Sequence, residues 1–321
     1  MIFISGATGF IGSHLVSYFL ETNDKPFYIL TRREKNALRQ NERIKVLTAD
    51  ISKEIALPDD VTTIYHCAGV ISREDEMWRV NVEGTRNIAE AAFRRHCRLI
   101  HLSSAGVVGV SSRFNIDESV ECKPRNLYEQ TKWEAEKIIK GYVERGLRAQ
   151  IVRPTIVIGP GRDPSQDSFL QLIRSIKRGW YVNIGGGEGI YNIVHVNEVA
   201  RVMNALDDER IPNGETFFVN TPVSYKELSE IVIDETKAKR KQARNAPYWV
   251  ALGMTAIMSA VTLTTGRKMP LTYARLRVLT NQVVFSQNKL TEMIGYEPAM
   301  SIQGYIRQIY RVFAQKGLFD N

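Results

Sequence analysis

Cysteine is scarce in this chain. Three residues in 321 (Cys67, Cys97 and Cys122) form no C-x-x-C pair. That excludes a disulfide framework, offers no zinc-type ligand set, and fits a reducing compartment. There is no internal repeat, no low-complexity tract and no nucleic-acid-binding motif, so neither nucleic acid nor a metal is expected as a partner. No basic segment precedes the first apolar run at Ile2, so no secretory leader is expected and the expected location is cytoplasmic. What is present is ordinary for a globular protein: 44% hydrophobic and 24% charged residues. The length suggests about two domains. The formal net charge is +8, with basic residues scattered apart from a cluster between Lys237 and Arg244. Such a surface suits phosphate-bearing cofactors or anionic membranes.

Charge is missing altogether from Ala246 to Gly266. The length approaches the roughly 20 residues that span a bilayer, but Pro247, Gly253, Ser259 and several threonines dilute it. A buried or pocket-lining helix is expected. Arg244 on one side and Arg267-Lys268 on the other leave contact with a membrane surface through 246–266 open, and with it a membrane-associated location.

The first half alternates between two patterns. Strand-like apolar runs occur at 2–5, 27–30, 44–47, 63–66, 99–102 and 149–152, and helix-like patterns at 11–20, 77–95 and 127–145. This alternation predicts an α/β fold: a doubly wound parallel sheet of Rossmann type with helices on both faces. After about residue 159 the order changes, and from Ser224 onward the pattern is mainly helical. The expected division is a nucleotide-binding domain from 1–158 and 190–223, and a smaller, mainly helical C-terminal substrate domain from 159–189 and 224–321.

Strand, glycine turn and helix follow one another at the start. Gly6, Gly9 and Gly12 sit in Ser5-Gly-Ala-Thr8-Gly-Phe10-Ile11-Gly12. Such a turn lets the backbone approach a pyrophosphate and points a helix N-terminus at it. The second strand should end on the residue that reads the adenosine ribose. An Asp or Glu there suits NAD; here Thr31-Arg32-Arg33 follows, and guanidinium groups suit a 2′-phosphate. NADP is therefore expected in preference to NAD. Asp50-Ile51 and Cys67-Ala68-Gly69 follow the third and fourth strands and reach the same sheet edge, where Asp50 can accept from the adenine amino group.

Tyr128 and Lys132 lie one helical turn apart. A nearby ammonium favours the phenolate and brings a proton-transfer group toward working pH. Ser103-Ser104-Ala105 ends the fifth strand, where a hydroxyl can polarise a substrate oxygen.

With these pieces in order, the chain resembles the extended short-chain dehydrogenase/reductase family, also called the NAD-dependent epimerase/dehydratase family. The resemblance rests on Gly6–Gly12, Asp50-Ile51, His66–Gly69, Asn81–Thr85, Ser103–Ala105 with Gly109, Tyr128 and Lys132, Arg153–Thr155 with Gly159-Pro160-Gly161, His195-Val196 and Gly295–Pro298. It implies Tyr128 as general acid/base, Lys132 as its electrostatic partner and ribose ligand, and Ser104 as the polarising hydroxyl. It also implies cofactor contacts from Gly6, Thr8, Gly9, Phe10, Ile11, Gly12, Arg32, Arg33, Asp50, Ile51, Ala68, Gly69 and Asn81, with Pro154, Thr155 and Ile156 beside the nicotinamide. A homodimer through two helices of the Rossmann domain is a further implication.

Departures narrow the branch. Sugar dehydratases resemble Thr-Asp-Glu where this chain has Ser104-Ala105-Gly106, and nucleotide-sugar epimerases typically show an Arg-Asp pair where it has Tyr191-Asn192, although Arg162, Arg174, Arg275 or Arg277 could substitute for that arginine. Pro247-Tyr248-Trp249, the uncharged stretch and residues 266–272 look like the 3β-hydroxysteroid dehydrogenase and dihydroflavonol-reductase-like branches, which implies an apolar substrate pocket or membrane-proximal work. The expected function is an NADP(H)-dependent oxidoreductase moving hydride between nicotinamide and a small-molecule carbonyl or secondary alcohol, with an apolar hydroxy/keto substrate. The alternatives are a nucleotide-sugar epimerase or 4-keto-sugar reductase, and a non-catalytic NADP-binding partner protein.

Overall fold

In a computed structural model, which describes residues 1–32, 41–111, 113–165, 167–236, 243–265 and 272–319, the first element is strand β1 (Ile2–Ser5), followed by helix α1 (Phe10–Thr22). Then come β2 (Phe27–Thr31), β3 (Ile44–Thr48), β4 (Thr63–His66), helix α2 (Gly84–Arg94), β5 (Arg98–Leu102), helix α3 (Leu127–Glu144), β6 (Ala149–Pro154), helix α4 (Val196–Ala205) and β7 (Thr216–Val219). All seven strands form one parallel sheet in the order β3-β2-β1-β4-β5-β6-β7. The order reverses between β1 and β4, which is where a doubly wound sheet opens its ligand crevice.

Apart from the edge strand β3, where Lys45 and Thr48 are exposed, both faces of this sheet are largely buried, so its strands read as mainly apolar runs rather than alternating ones. Successive residues serve opposite faces. Phe3, Ile64, Leu99 and Ile151 pack with Ile88 of α2 and Ile139 of α3. Ile4, Tyr65, Ile100 and Val152 pack with Leu15 and Phe19 of α1 and Val199 and Met203 of α4. β7, Thr-Phe-Phe-Val, is a seventh strand outside the six runs read in the first half of the sequence, although it is no shorter than β1 or β4.

The helix expected over 77–95 is interrupted. A turn at Glu74–Met77 leads into a π-helical segment, Trp78–Glu83, before α2 begins. Widened turns of this kind recur at functional sites. Here the segment carries Asn81, whose side chain is bonded to the loop after β4.

The chain divides into two compact units. The first is Met1–Val157, Val194–Asn220 and Phe285–Glu297; the second is Ile158–Ile193, Thr221–Val284 and Pro298–Asn321. The segment 285–297 is a third piece of the first unit that the two-segment division read from the sequence does not contain. Its Leu290 and Tyr296 belong to the core beneath α1 and α4. The second unit has its own core, in which Phe169, Leu170 and Ile173 of helix Ser168–Lys177 meet Leu228 and Val232 of helix Tyr225–Thr236 and Ile306, Ile309 and Phe313 of helix Ile302–Gln315.

Candidate active site

The glycine turn is built for close approach. Gly6 has φ +72°, a region that L side chains avoid. A Cβ there would come within 2.5 Å of the Ala68 nitrogen, and one at Gly12 would overlap the Gly6 carbonyl oxygen. The Gly9 N–H donates to that same carbonyl at 2.9 Å. Gly9 caps α1 without any side-chain hydrogen bond, and the first turn carries no acid. An uncapped, acid-free helix N-terminus leaves donors and positive dipole for an anion, so these residues fit a dinucleotide pyrophosphate. Thr8, Phe10 and Ile11 lie on this turn and the first turn of α1.

At the end of β2 the Arg32 guanidinium sits on Glu76 at 3.2 Å. Glu76 also takes Arg73 at 2.6 Å and Arg79 at 3.9 Å, while Arg79 reaches Asp50 at 3.0 Å. The Asp50 carboxyl is held below its ordinary pKa by the Ser52 N–H and hydroxyl, with Arg79 adding to it. Three guanidinium groups thus share two carboxylates at the expected adenosine end. Arg33 lies outside the described residues. Ile51 is buried and fills the space against Gly84.

Ala68 and Gly69 follow β4. A Cβ on Gly69 would come within 3.3 Å of Lys132 Nζ and 3.4 Å of Asn81 Oδ1. Asn81 Oδ1 accepts from the Val70 N–H at 2.7 Å, and its amide donates to the Val70 carbonyl and to Thr131 Oγ1, each at 3.0 Å. One side chain thus ties the loop after β4 to α3. Below it, Thr85 Oγ1 donates to the Asn81 carbonyl at 2.6 Å and so accepts from His66 Nε2, leaving His66 Nδ1 to accept from Ser5 Oγ at 2.7 Å. Burial drives His66 down to about 3, so the ring is neutral. His101 lies opposite on β5 with ring centroids 5.1 Å apart, and neither of its nitrogens has a hydrogen-bond partner.

Helix α3 begins on Asn126, whose side chain accepts from the Glu129 N–H. Tyr128 stands half-buried in its first turn, packed on the core face that includes Ile139. Lys132, one turn on, is buried and donates from Nζ to the Leu102 carbonyl at the end of β5, at 2.8 Å. Burial pulls its ammonium down to about 8, with Cys67 and Glu136 pulling the other way. Ser104 follows β5 by two residues; its Oγ accepts from the Gly106 N–H at 3.1 Å. The chain thus pins the Tyr128–Lys132 helix directly to the strand end that carries Ser104.

One residue of this knot escapes a reading of the sequence. Glu136, a further turn along α3, is wholly buried. It accepts from Ser103 Oγ at 2.5 Å, from Arg153 Nε at 2.9 Å and from Arg153 Nη2 at 2.6 Å. Arg153 is on β6, next to Pro154, and its guanidinium lies over the rings of Trp133 and Phe218. Three elements are joined through one carboxylate: the helix of Tyr128, the strand end of Ser104 and the strand end of Pro154. The signal available was spacing, since Tyr128, Lys132 and Glu136 lie at i, i+4 and i+8. Past Pro154, Thr155 donates to Asn220 Oδ1 at 3.0 Å, and Ile156 is 45% exposed, an apolar side chain at the sheet edge.

In the second unit, Tyr191 is buried and stacked on Tyr225, with ring centroids 5.2 Å apart. Asn192 donates to the Val283 carbonyl at 2.7 Å. Both side chains are committed to internal packing or bonding, and neither carries charge.

Comparison with known proteins gives a consistent picture. The model of the NAD dependent epimerase/dehydratase family matches residues 2–219. The chain is 25% identical to 3beta-hydroxysteroid-dehydrogenase/decarboxylase isoform 1 of Arabidopsis thaliana, over 97% of this chain and 79% of that one. It is 22% identical to N-acetyl-alpha-D-glucosaminyl-diphospho-ditrans,octacis-undecaprenol 4-epimerase of Escherichia coli O157:H7, over 97% and 95%. In fold it is similar to UDP-glucuronic acid 4-epimerase from Bacillus cereus in complex with NAD, with a TM-score of 0.74 and 18% identity over 99% of both chains.

Proposed function

We propose that this chain, which belongs to the NAD dependent epimerase/dehydratase family and is thereby an NAD(P)-binding oxidoreductase, reduces a carbonyl or oxidises a secondary alcohol on an apolar substrate with NADP(H). The observation that carries the reading is the buried Lys132 ammonium, one turn from Tyr128 and bonded at 2.8 Å to the strand end that leads to Ser104. When bound, the dinucleotide supplies or takes up hydride at the nicotinamide. The protein's own groups handle the oxygen. In this reading the Tyr128 hydroxyl gives its proton to the substrate oxygen during reduction, or takes it during oxidation. The Lys132 charge stabilises the phenolate between these states and so brings proton transfer nearer neutral pH. Ser104 donates to the same oxygen as charge gathers there. Gly6, Gly9 and Gly12 hold the pyrophosphate, and Pro154, Thr155 and Ile156 flank the nicotinamide.

The preference for NADP rests on Arg32 with Arg73 and Arg79 around it. A 2′-phosphate would compete with Glu76 for Arg32, one negative partner exchanged for another. The preference for a reductase over a nucleotide-sugar epimerase rests on Tyr191 and Asn192, which are occupied internally and offer no cation to a diphosphate. A homodimer through two helices of the first unit belongs to the same reading, and sedimentation reads it directly.

The test is Tyr128→Phe. Turnover of a hydroxy or keto substrate should fall by about 10²–10⁴-fold, the usual share of a general acid/base, with cofactor affinity unchanged. Turnover at the wild-type rate would sink the mechanism. Titration of the wild type with both dinucleotides should show NADP binding more tightly, and NAD binding at least as tightly would remove the Arg32 argument alone.

A further inference from the structure

The helix Tyr248–Thr265 of the second unit is turned inside out. Its buried stripe is made of small residues, with Ala251 and Thr255 each 3% exposed, while Trp249 is 73% and Ile257 67% exposed. Tyr248, Leu252 and Met254 are exposed as well. Trp249, Leu252 and Ala256 share one face at i, i+3 and i+7. Packing against Ile184 and Leu276 fixes the inner side and leaves the large apolar groups outward. Even the polarity of its hydroxyls is turned inward. Thr255, Ser259 and Thr262 each donate to the carbonyl four residues back, at 2.8, 2.8 and 2.9 Å. Hydroxyls satisfied in this way can enter an apolar medium without leaving a donor unpaired.

The charge around this helix has one sign. From Thr236 to Val284 the sequence holds nine Lys and Arg and no Asp or Glu, a formal +9 where the whole chain carries +8. Arg244 just before the helix and Arg275 and Arg277 after it are exposed. Among the described residues no helix is long and apolar enough to cross a membrane. An uncharged helix with outward aromatic and aliphatic side chains, set between basic segments, is the composition of a helix that lies in a lipid interface.

We propose that helix Tyr248–Thr265, with Arg244, Arg275 and Arg277 beside it, docks this protein on an anionic phospholipid bilayer. Trp249, Leu252 and Ile257 enter the boundary between headgroups and acyl chains, and Arg244, Arg275 and Arg277 lie among the lipid phosphates. A second copy of the chain is disfavoured as the occupant. An isologous contact would set a +9 segment against its own image with no acid in that segment to offset it. A nucleic acid would satisfy the cations and leave Leu252, Met254 and Ile257 facing water or phosphate. This surface is independent of the hydride chemistry proposed for the first unit.

The test is flotation of the whole protein with vesicles of phosphatidylcholine alone or mixed with phosphatidylglycerol. The protein should float with the mixed vesicles, stay behind with phosphatidylcholine, and be released as salt rises. Trp249→Ser with Leu252→Ser, and separately Arg275→Glu with Arg277→Glu, should each weaken that binding by tenfold or more. Thermal melts and dinucleotide titration confirm that each variant is folded. Failure of the wild type to float with anionic vesicles would overturn the proposal, as would undiminished flotation of either folded variant. So would a change from dimer to monomer in the Trp249/Leu252 variant with flotation intact, since that assigns the face to a second copy.

Discussion

The two units differ in where their buried charge and their outward-facing apolar helix lie. The first buries charge: Lys132, Glu136 and Arg153 are nearly or wholly inaccessible and cluster at one sheet edge. The second displays apolar surface: Trp180, Trp249 and Ile257 stand in solvent, while Ala251 and Thr255 face inward. Buried charge is costly and persists only where it is paired and hydrogen-bonded. In the first unit each buried charge holds a neighbouring element in register, Lys132 on the Leu102 carbonyl and Glu136 on Ser103 and Arg153. The arrangement spends stability on geometry, as a proton-transfer site requires. Exposed apolar side chains cost the second unit little on their own, because nothing inside depends on them. Their value lies outside the molecule. One region is over-determined from within and the other is left to be completed from without.

The change that most strongly breaks this contrast is Glu136→Leu. It leaves the Arg153 guanidinium buried without its carboxylate, which costs about 3–5 kcal/mol, read as a lower urea midpoint. Glu136→Gln keeps an acceptor for Ser103 and should lose less stability. Its turnover should still drop, because the Ser104 and Pro154 strand ends lose their common tie. If Glu136→Leu unfolds within 1 kcal/mol of wild type, roughly the scale of a surface change, the buried knot is not what holds the edge together.

Acid should separate the two units. All five histidines lie in the first. His66 is held down to about 3 and His195 to about 4, in both cases first by burial, and burial drives His101 well below the ordinary value. Each binds its proton in the unfolded chain near pH 6.5 but resists it when folded. The unfolded state therefore holds more protons below that pH, and stability falls as pH falls through the window from 6.5 toward 3. Each neutral histidine contributes about 1.4 kcal/mol of loss per pH unit. Hydrogen exchange at mild acid should show the sheet around β4 and β5 opening before the core formed by helices Ser168–Lys177 and Ile302–Gln315. His101→Leu, which removes nitrogens that have no hydrogen-bond partner, should flatten part of the slope. An equal loss of protection in both units would contradict the assignment.

Much of this was legible in the sequence, and the reasons are physical. Strands buried on both faces are continuous apolar runs, so β1 to β6 could be read directly. β7 was not read, although its four residues, Thr-Phe-Phe-Val, are as many as those of β1 and β4. The glycine turn was legible because few backbones need three glycines at that spacing, and the Tyr128–Lys132 pair because helical geometry puts them on one face. Glu136 was hidden: a Glu amid Glu134 and Lys137 on a helix reads as solvated until the fold brings Arg153 beneath it. Asn81 was legible as a motif but not in its action, since its bonds depend on a widened turn that no local pattern announces. The helix Tyr248–Thr265 was expected to be buried or to line a pocket. Small and large apolar residues alternate around it without one apolar stripe, so the sequence did not say which side faced in.

The smallest expected effect tests the other half of the contrast. Trp249→Ser replaces a side chain that is 73% exposed and should change stability by no more than about 0.5 kcal/mol, the usual range for a surface substitution away from special features. Ala251→Phe, two residues along, should cost about 1–3 kcal/mol, because the inner stripe packs against Ile184 and Leu276 and has no room for a ring. The pair inverts the rule that large apolar residues carry stability and small ones do not. If Trp249→Ser instead lowers the urea midpoint by as much as Ala251→Phe, the tryptophan is packed against the protein in solution, and the outward face of the helix is part of the core.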